Sequence, residues 1–499
     1  MKRYWAEIHN HNSVGYAKGT LERAYQIAQS ALDIYAFTPH GWWPDLPATD
    51  QKVKKQHENG FRIVADAWRD ICEKANVSYG AGEFATFLAY EWHSSSWGDF
   101  CLYFPDSEAE LRYAGDPHEL KEFARETHAL LVPHHCAYSR GSRGTDWSVV
   151  DEDLSPVAEV FSEHGNSLEA ESSLGMYGHS MGGSQLSQSI LAQIIAGRII
   201  GFTAGTDNHF GAPASYGEGL TAVFAEELTR SSVFGAIRAR HTYAVTGDRI
   251  GVLIRTEGEG IMGDILPAST PRRLEIDVQG CALLEYVELF RNGFSVEKWN
   301  PAGVVEEQSG PYLLRIEFGW GGLNDTRNTH WRIRIGSDKA KILEATPYFC
   351  SGPQTIEVVN RIKRSTDSKV EVDAVSTRTN SLPTQTVLLE LRGPLDATVN
   401  CDISAIWGEN KLSAARNWNL AELLADDYYV ELSDVFSAPK LKTHRLLPAS
   451  AAHFACSWDA PAPHDASKTT GNGTAPDCYF FKVVQKNGHM AWTSPVWYR

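Results

Sequence analysis

The order of apolar and polar positions divides the chain near residue 249. Before that point, short apolar runs alternate with stretches of helical periodicity. Leu21, Ala24, Tyr25, Ala28 and Leu32 recur at the spacing of one helix face and predict a helix over 19–32. The same reading predicts helices over 61–76, 119–127, 186–198 and 228–240, with strands over 4–8, 31–38, 84–91, 129–133, 157–161 and 199–203. Strands and helices alternating over about 250 residues predict an α/β fold with a parallel-stranded barrel or sheet. RHTYAVTG (240–247) reads as the connection out of the last helix. Beyond it, period-two segments take over: RRLEIDV, LEYVELFRNG, YLLRIEF, WRIRIG, SKVEVDAV and TVLLEL. Turn signals such as Arg291-Asn292-Gly293 and Lys486-Asn487-Gly488 separate them, and together they predict an all-β region, one sandwich or two small ones. PAPHDASKTTGNGTAP (461–476) reads as a loop.

Length agrees with this division. Single cores stop growing at roughly 250–300 residues, so 499 residues imply at least two domains, read here as 1–248 and 249–499. Charge narrows the partners: 46 Lys and Arg against 62 Asp and Glu leave a net −16, which disfavours nucleic acid and anionic membranes. A small-molecule substrate is expected, with homo-oligomerisation left open. No apolar run reaches 18 residues, and MKRYWAEIHN lacks the apolar stretch of a signal peptide, so a cytoplasmic location is expected. Of the eight cysteines, no two are spaced C-x-x-C; they read as reduced thiols. Any metal is therefore expected on histidines and carboxylates.

Those residue types gather at the predicted strand ends. His9 and His11 are two apart, and alternate residues of a strand share a face. His40, Glu91, His134-His135 and Asp207-Asn208-His209 end four further strands. In α/β barrels the chemistry sits at such ends. Imidazoles mixed with carboxylates suit Mn²⁺, Fe²⁺ or Zn²⁺, and a carboxylate such as Glu91, with Glu83 as its rival, can bridge two ions roughly 3.5–4 Å apart. Arg140 and Arg143 offer planar forks for phosphate or carboxylate oxygens, against a plain salt bridge to Asp146. Glu159, Glu163 and His164 divide evenly between pocket and structural roles. Trp42, Trp43, Trp92, Trp97, Tyr138 and Trp147 lie close in sequence to the ligand positions, as pocket wall or rim packing. His57, His93, His118, His128, His179 and His241 read as surface or core residues.

The order of these motifs resembles that of the PHP (polymerase and histidinol phosphatase) metallohydrolases: H-x-H after the first strand, T-D-H, a Glu, P-H and D-x-H. Here they are His9/His11, Thr38-Pro39-His40, Glu91, Pro133-His134 and Asp207-Asn208-His209. The resemblance covers residues 4–248, and PHHCAYSRGSRGTDW, EVFSEHGNS and GFTAGTDNH are similar to a long bacterial branch related to carbaryl-type carbamate hydrolases. It implies a distorted (β/α)7 barrel ahead of the sandwich region and a hydrolase with two or three Mn²⁺, Zn²⁺ or Fe²⁺ ions. His9, His11, Glu91 and Asp207 would hold one ion, Glu91 and His134 would reach a second, and His40 and His209 would complete the set. Pro39 replaces the family's acidic residue, 13–18 holds no ligand, and Asp99 stands where a further histidine is common. Two ions are therefore expected, with Asp99 as a substitute ligand. His135, His164 or His209 would protonate the leaving group. The arginines favour a phosphoester substrate, while the aromatic residues favour a carbamate, ester or amide. A metal-stabilised binding module without turnover is the third reading.

Overall fold

The computed structural model describes residues 1–177, 181–257, 259–301, 310–322, 325–378, 380, 382–460 and 476–499. His179 and nearly all of the loop expected over 461–476 lie outside these residues. The first half contains, in order, β1 (Lys2–Glu7), α1 (Leu21–Ala31), β2 (Ile34–Ala36), β3 (His40–Trp42), α2 (Gln51–Ser78), β4 (Ala85–Trp92), β5 (Phe100–Phe104), α3 (Pro117–Glu126), β6 (Leu130–Pro133), β7 (Val157–Ser162), β8 (Gly165–Asn166), α4 (Ile190–Ile195), β9 (Gly201–Ala204), β10 (Leu220–Ala225), α5 (Arg230–Arg238) and β11 (Thr242–Val245). Side-chain caps begin the helices where the sequence offers acceptors: Thr20, Asp50, Asp116 and Thr229 each accept from a backbone N–H of the first turn. The Asp50 cap starts α2 ten residues ahead of the apolar stripe beginning at Phe61, because the polar QKVKKQHENG turns need no burial to be helical once capped.

The first half is not a (β/α)7 barrel, nor TIM-like. Strand accounts for 40% of the chain and helix for 16%, with six α-helices among the described residues. Two segments that follow another strand with no helix between overturn the expectation. FCLYF forms β5, antiparallel to both β4 and β6, and LTAVFA forms β10, antiparallel to both β1 and β11. Only the β1–β2, β2–β4, β3–β4 and β7–β9 pairs are parallel in this half. The result is one large mixed sheet running β11-β10-β1-β2-β4-β5-β6, beside a small sheet β8-β7-β9 that has no ladder to it.

Residues 240–247 are more than a connection. β11 pairs with Met490–Thr493, and Asp477–Gln485 and Val496–Tyr498 extend the same sheet, so the chain's last strands complete the sheet of its first half. The strands Gly251–Thr256, Arg273–Gln279 and His453–Asp459 form a three-stranded sheet; Val252, Ile276 and Val278 pack against Tyr243, Val287 and Phe481 of the large one. Between Tyr312 and Pro448, sheets of six and five strands stack face to face over Ile316, Phe318, Trp331, Ile333 and Val372. No helix among the described residues is long and apolar enough to cross a membrane.

Polar contacts add to this joining of the halves. Asp248 and Arg315 form an ion pair at 2.9 Å. Arg23 on α1 donates to the carbonyls of Phe210, Gly211, Thr355 and Val358 and to the Ser351 hydroxyl, at 2.6–3.1 Å.

Candidate metal centre

Period-two alternation puts the chemistry on one face. Ile34 and Ala36 of β2, Phe87 and Ala89 of β4, Cys101 and Tyr103 of β5, Leu130 and Val132 of β6 and Val157 of β7 line a common apolar interior. Two residues further on, each strand keeps the same face but changes chemistry. Ala89 is followed by Glu91 and then His93, Val132 by His134, and Val157 by Glu159. Pairing aligns these ends: Glu91 lies opposite His40 in the parallel β3–β4 pair and opposite Cys101 in the antiparallel β4–β5 pair.

The H-N-H segment is fixed by its middle residue. Asn10 points away from its two neighbours; its side chain accepts from the Tyr35 hydroxyl and donates to Thr206 Oγ1. Its backbone is bonded to Thr38, and 9–11 runs parallel to 206–208 through the Asp207 N–H to His9 O and His11 N–H to Asn208 O bonds, 2.8 and 3.0 Å. Glu7 accepts from the N–H groups of His9, Thr206 and Ala214, and burial raises its carboxyl to about 7. Gly205 allows this close approach: a Cβ there would lie 2.5 Å from His9 Cβ and 3.0 Å from Glu159 Oε2. Gly205→Ala is therefore expected to displace His9, costing about 1–3 kcal/mol in stability; thermal melting and metal content check it.

The donor atoms converge. Glu91 Oε2 lies 3.3 Å from His11 Nε2, 3.7 Å from His40 Nε2 and 3.9 Å from His9 Nε2. Its other oxygen lies 2.8 Å from His134 Nε2 and 3.2 Å from His93 Nδ1. Asp207 Oδ1 is 2.8 Å from His11 Nε2 and 3.6 Å from His9 Nε2, and Oδ2 is 3.0 Å from His164 Nε2. His209 packs on His11, ring centroids 4.5 Å apart, with its side chain 33% exposed at the edge of the cluster. Several buried nitrogens here have no hydrogen-bond partner: His9 Nε2, His11 Nδ1, His93 Nε2 and His135 Nδ1. Orphaned buried donors and acceptors are costly, and their concentration on one point fits a cation.

The electrostatics agree. Burial and His209 push His11 down to about 4, and burial with neighbouring imidazoles holds His40 and His135 well below the ordinary value, so their lone pairs are free at neutral pH. Burial opposes ionisation of Glu91 and Asp207, yet their histidine neighbours hold both well below the usual carboxylate range. Burial likewise opposes protonation of His9, which Cys101, Asp207 and Glu159 raise well above its usual value. The site calls for positive charge, which protons or bound cations supply. Asp207, His135 and Arg143 have φ of 54°, 34° and 69°, a left-handed conformation costing about 1–3 kcal/mol per residue, of the kind that concentrates at functional sites.

Of the residues singled out in the sequence, His9, His11, His40, Glu91, His134, His135, His164, Asp207 and His209 come together. Asp99 is present but engaged: it accepts from Arg143 and the Ser94 N–H, lies 3.1 Å from His93 Nδ1, and is held by Arg143 well below the usual range despite burial. Arg143 enters the cluster as the partner of Asp99. Arg140 stays outside, its side chain 64% exposed and paired with Asp146 at 2.5 Å. Trp92 and Trp147 pack in the core, their indole N–H groups bonded to Ala114 and Gln188 carbonyls, whereas Trp43 stacks on His93.

The sequence reading missed His93, fully buried beside Glu91; its i+2 spacing from Glu91 on one strand was the available signal. It also left the role of Glu159 open. Glu159 Oε2 is 2.8 Å from His9 Nδ1, which orients the ring with Nε2 toward Glu91 and Asp207. Glu163 does the same for His209 at 3.2 Å. Carboxylates behind ligand histidines typically account for 10–100-fold in metal affinity. Glu159→Gln is expected to weaken metal binding by about that factor, read by competition with a chromophoric chelator.

The family described as "Protein of unknown function (DUF3604)" matches residues 18–100 and 186–258. An uncharacterized protein of Chlamydia pneumoniae is 36% identical over 92 residues, 17% of this chain and 15% of that one. An uncharacterized protein of Chlamydia muridarum (strain MoPn / Nigg) is 27% identical over 321 residues, 60% of this chain and 49% of that one. The chain thus spans about half the length, or less, of these curated relatives. Among solved structures, the C-terminal domain of the Streptococcus agalactiae AgI/II polypeptide BspA matches at 7% identity with a TM-score of 0.10, covering 41% of this chain and 59% of that one.

Proposed function

We propose that the protein is a metal-dependent hydrolase whose cluster around Glu91 would hold two divalent ions, Mn²⁺, Zn²⁺ or Fe²⁺. The observation that carries this reading is the division of imidazoles around that carboxylate: His9, His11 and His40 at Oε2, and His93 and His134 at Oε1, with buried nitrogens left unpaired. Divalent ions in such a site lower the pKa of water from 15.7 towards about 7 and polarise the attacked P=O or C=O. The chain's own groups do the rest. Glu159 and Glu163 orient His9 and His209. His164 Nδ1 meets the Tyr138 hydroxyl at 2.9 Å while Nε2 meets Asp207, a geometry that lets its Nε2 hold and deliver a proton to the leaving group.

Arg143 is committed to Asp99 and Arg140 to Asp146, so preference for a phosphoester rests on the motif resemblance alone. Tyr16 stacks on His40 at 3.8 Å and Trp43 on His93 at 5.3 Å, which favours the second reading, a carbamate or carboxylic ester with an aryl group. Protein loaded with each metal in turn, then given p-nitrophenyl phosphate, bis(p-nitrophenyl) phosphate and an aryl carbamate, tests both. Two ions per chain by elemental analysis and chelator-sensitive turnover are expected. Retention of ions without turnover of any substrate would leave the binding-module reading in place of the hydrolase.

A further inference from the structure

Where the six-stranded sheet of the sandwich meets the first half, alternation produces an unusual outer face. Along Tyr312–Gly319, Leu314, Ile316 and Phe318 turn into the sandwich core, so Leu313, Arg315 and Glu317 turn out. Across the ladder, Leu388 stands opposite Arg315 and Thr386 opposite Glu317. This face meets the first half only in part, through the Arg315–Asp248 pair and the packing of Leu313 and Leu388 with Tyr216. It floors a cleft of about 500 Å³, within the size range of small-molecule sites at domain junctions. Tyr216, from the loop that follows Asp207 and His209, forms one wall, and the turn Lys486–His489 forms another.

In a chain of net charge −16, this cleft is cationic: Arg315, Arg445 and Lys486 line it against Glu317 as its single carboxylate. Glu317 is already matched by His444 at 2.9 Å and by Thr384 at 2.8 Å. Arg315 is anchored from behind, bonded to Asp248 and the Tyr216 hydroxyl, which fixes its planar fork while using only part of its five N–H donors. Among the described residues, the side chains of Arg445 and Lys486 enter no ion pair; the Arg445 backbone N–H donates to Asp427 at 2.7 Å. Beside the cations lies Leu447, with the edges of Leu313 and Leu388, which are 8% and 6% exposed, in the floor.

We propose that this cleft binds a small organic anion, its carboxylate or phosphate group held by Arg315, Arg445 and Lys486 and its apolar body lying over Leu313, Leu388 and Leu447. A fixed arginine fork gives geometric selectivity for such oxyanions, and the lysine and second arginine add charge. None of the residues lining the cleft belongs to the histidine cluster.

Calorimetric titration of the full chain with octanoate, octyl phosphate, octanol and inorganic phosphate tests the proposal. One saturable site per chain is expected for octanoate or octyl phosphate, and which of the two binds more tightly identifies the head group. Octanol and inorganic phosphate are each expected to bind at least tenfold more weakly. The double change Arg445→Glu/Lys486→Glu should weaken the anion at least tenfold with an unchanged melting temperature. If that variant melts early, Arg445→Gln/Lys486→Gln carries the same test. No saturable site for either amphiphile, equal affinity for octanol, or unchanged affinity in the folded variant would each overturn the proposal.

Discussion

Glu91→Gln is expected to reduce the ion content from two per chain to one or none and to slow hydrolysis by about 10³-fold. The change keeps the side chain's volume and removes its charge. Glu91 has imidazole nitrogens at both oxygens, 3.3 Å from His11 and 2.8 Å from His134, and five histidines surround it, which would place it between the two proposed ions. Metal stabilisation of transition-state charge is worth several kcal/mol, and each 1.4 kcal/mol is about tenfold in rate, which sets the expected factor. Elemental analysis and initial rates on the best substrate measure the two effects separately. A folded variant that keeps both ions and a rate within tenfold of the parent would remove Glu91 from the bridging role.

Asp248→Asn is expected to cost about 3 kcal/mol of stability, because it leaves the Arg315 guanidinium, its side chain only 16% exposed, without its buried counter-charge. Asp248 is 0% exposed and accepts from Arg315, Tyr216, Gln485 and Asn487 at 2.7–3.0 Å. An asparagine in its place would turn a donor toward other donors. The pH dependence follows from the carboxyl group. Burial opposes its ionisation, yet Arg315 and the surrounding donors hold it well below the usual carboxylate range. A group depressed in the folded state stabilises fully above its unfolded value, near 3.9 for aspartate, and loses that contribution as pH falls through the folded value. The gap between parent and variant in urea unfolding should therefore be full at pH 7 and narrow below about pH 4. Equal unfolding midpoints at pH 7 would show that the pair does not hold the halves together.

The two large effects come from opposite ends of what local sequence can express. Glu91 and His134 stand out in the sequence because each continues the two-residue rhythm of an apolar strand and breaks only its chemistry, and His9 and His11 stand out as a pair two residues apart at the end of a strand. His93 follows the same rhythm two residues after Glu91 and was legible by that rule. The link between Glu159 and His9 spans 150 positions, and that between Asp99 and Arg143 spans 44, so no local spacing announces either. Arg140 and Arg143 look equivalent in YSRGSRG, yet Arg140 stays 64% exposed while it pairs with Asp146, and Arg143, 20% exposed, enters the histidine cluster to meet Asp99.

Strand direction shows the same limit. The apolar runs FCLYF and LTAVFA are fully buried, which their composition implies, but burial does not say which neighbour a strand joins or in which sense. Their antiparallel pairing replaced the expected barrel with an open mixed sheet, and strands from beyond residue 476 completed it. Periodicity thus encodes which face of each element is buried and which donor atoms stand at its end, because side-chain alternation is a property of the local backbone. Ladder partners, the counter-charge of each buried ion and the cleft beside Arg315 depend on segments far apart in the chain, and they exist only once those segments are packed together.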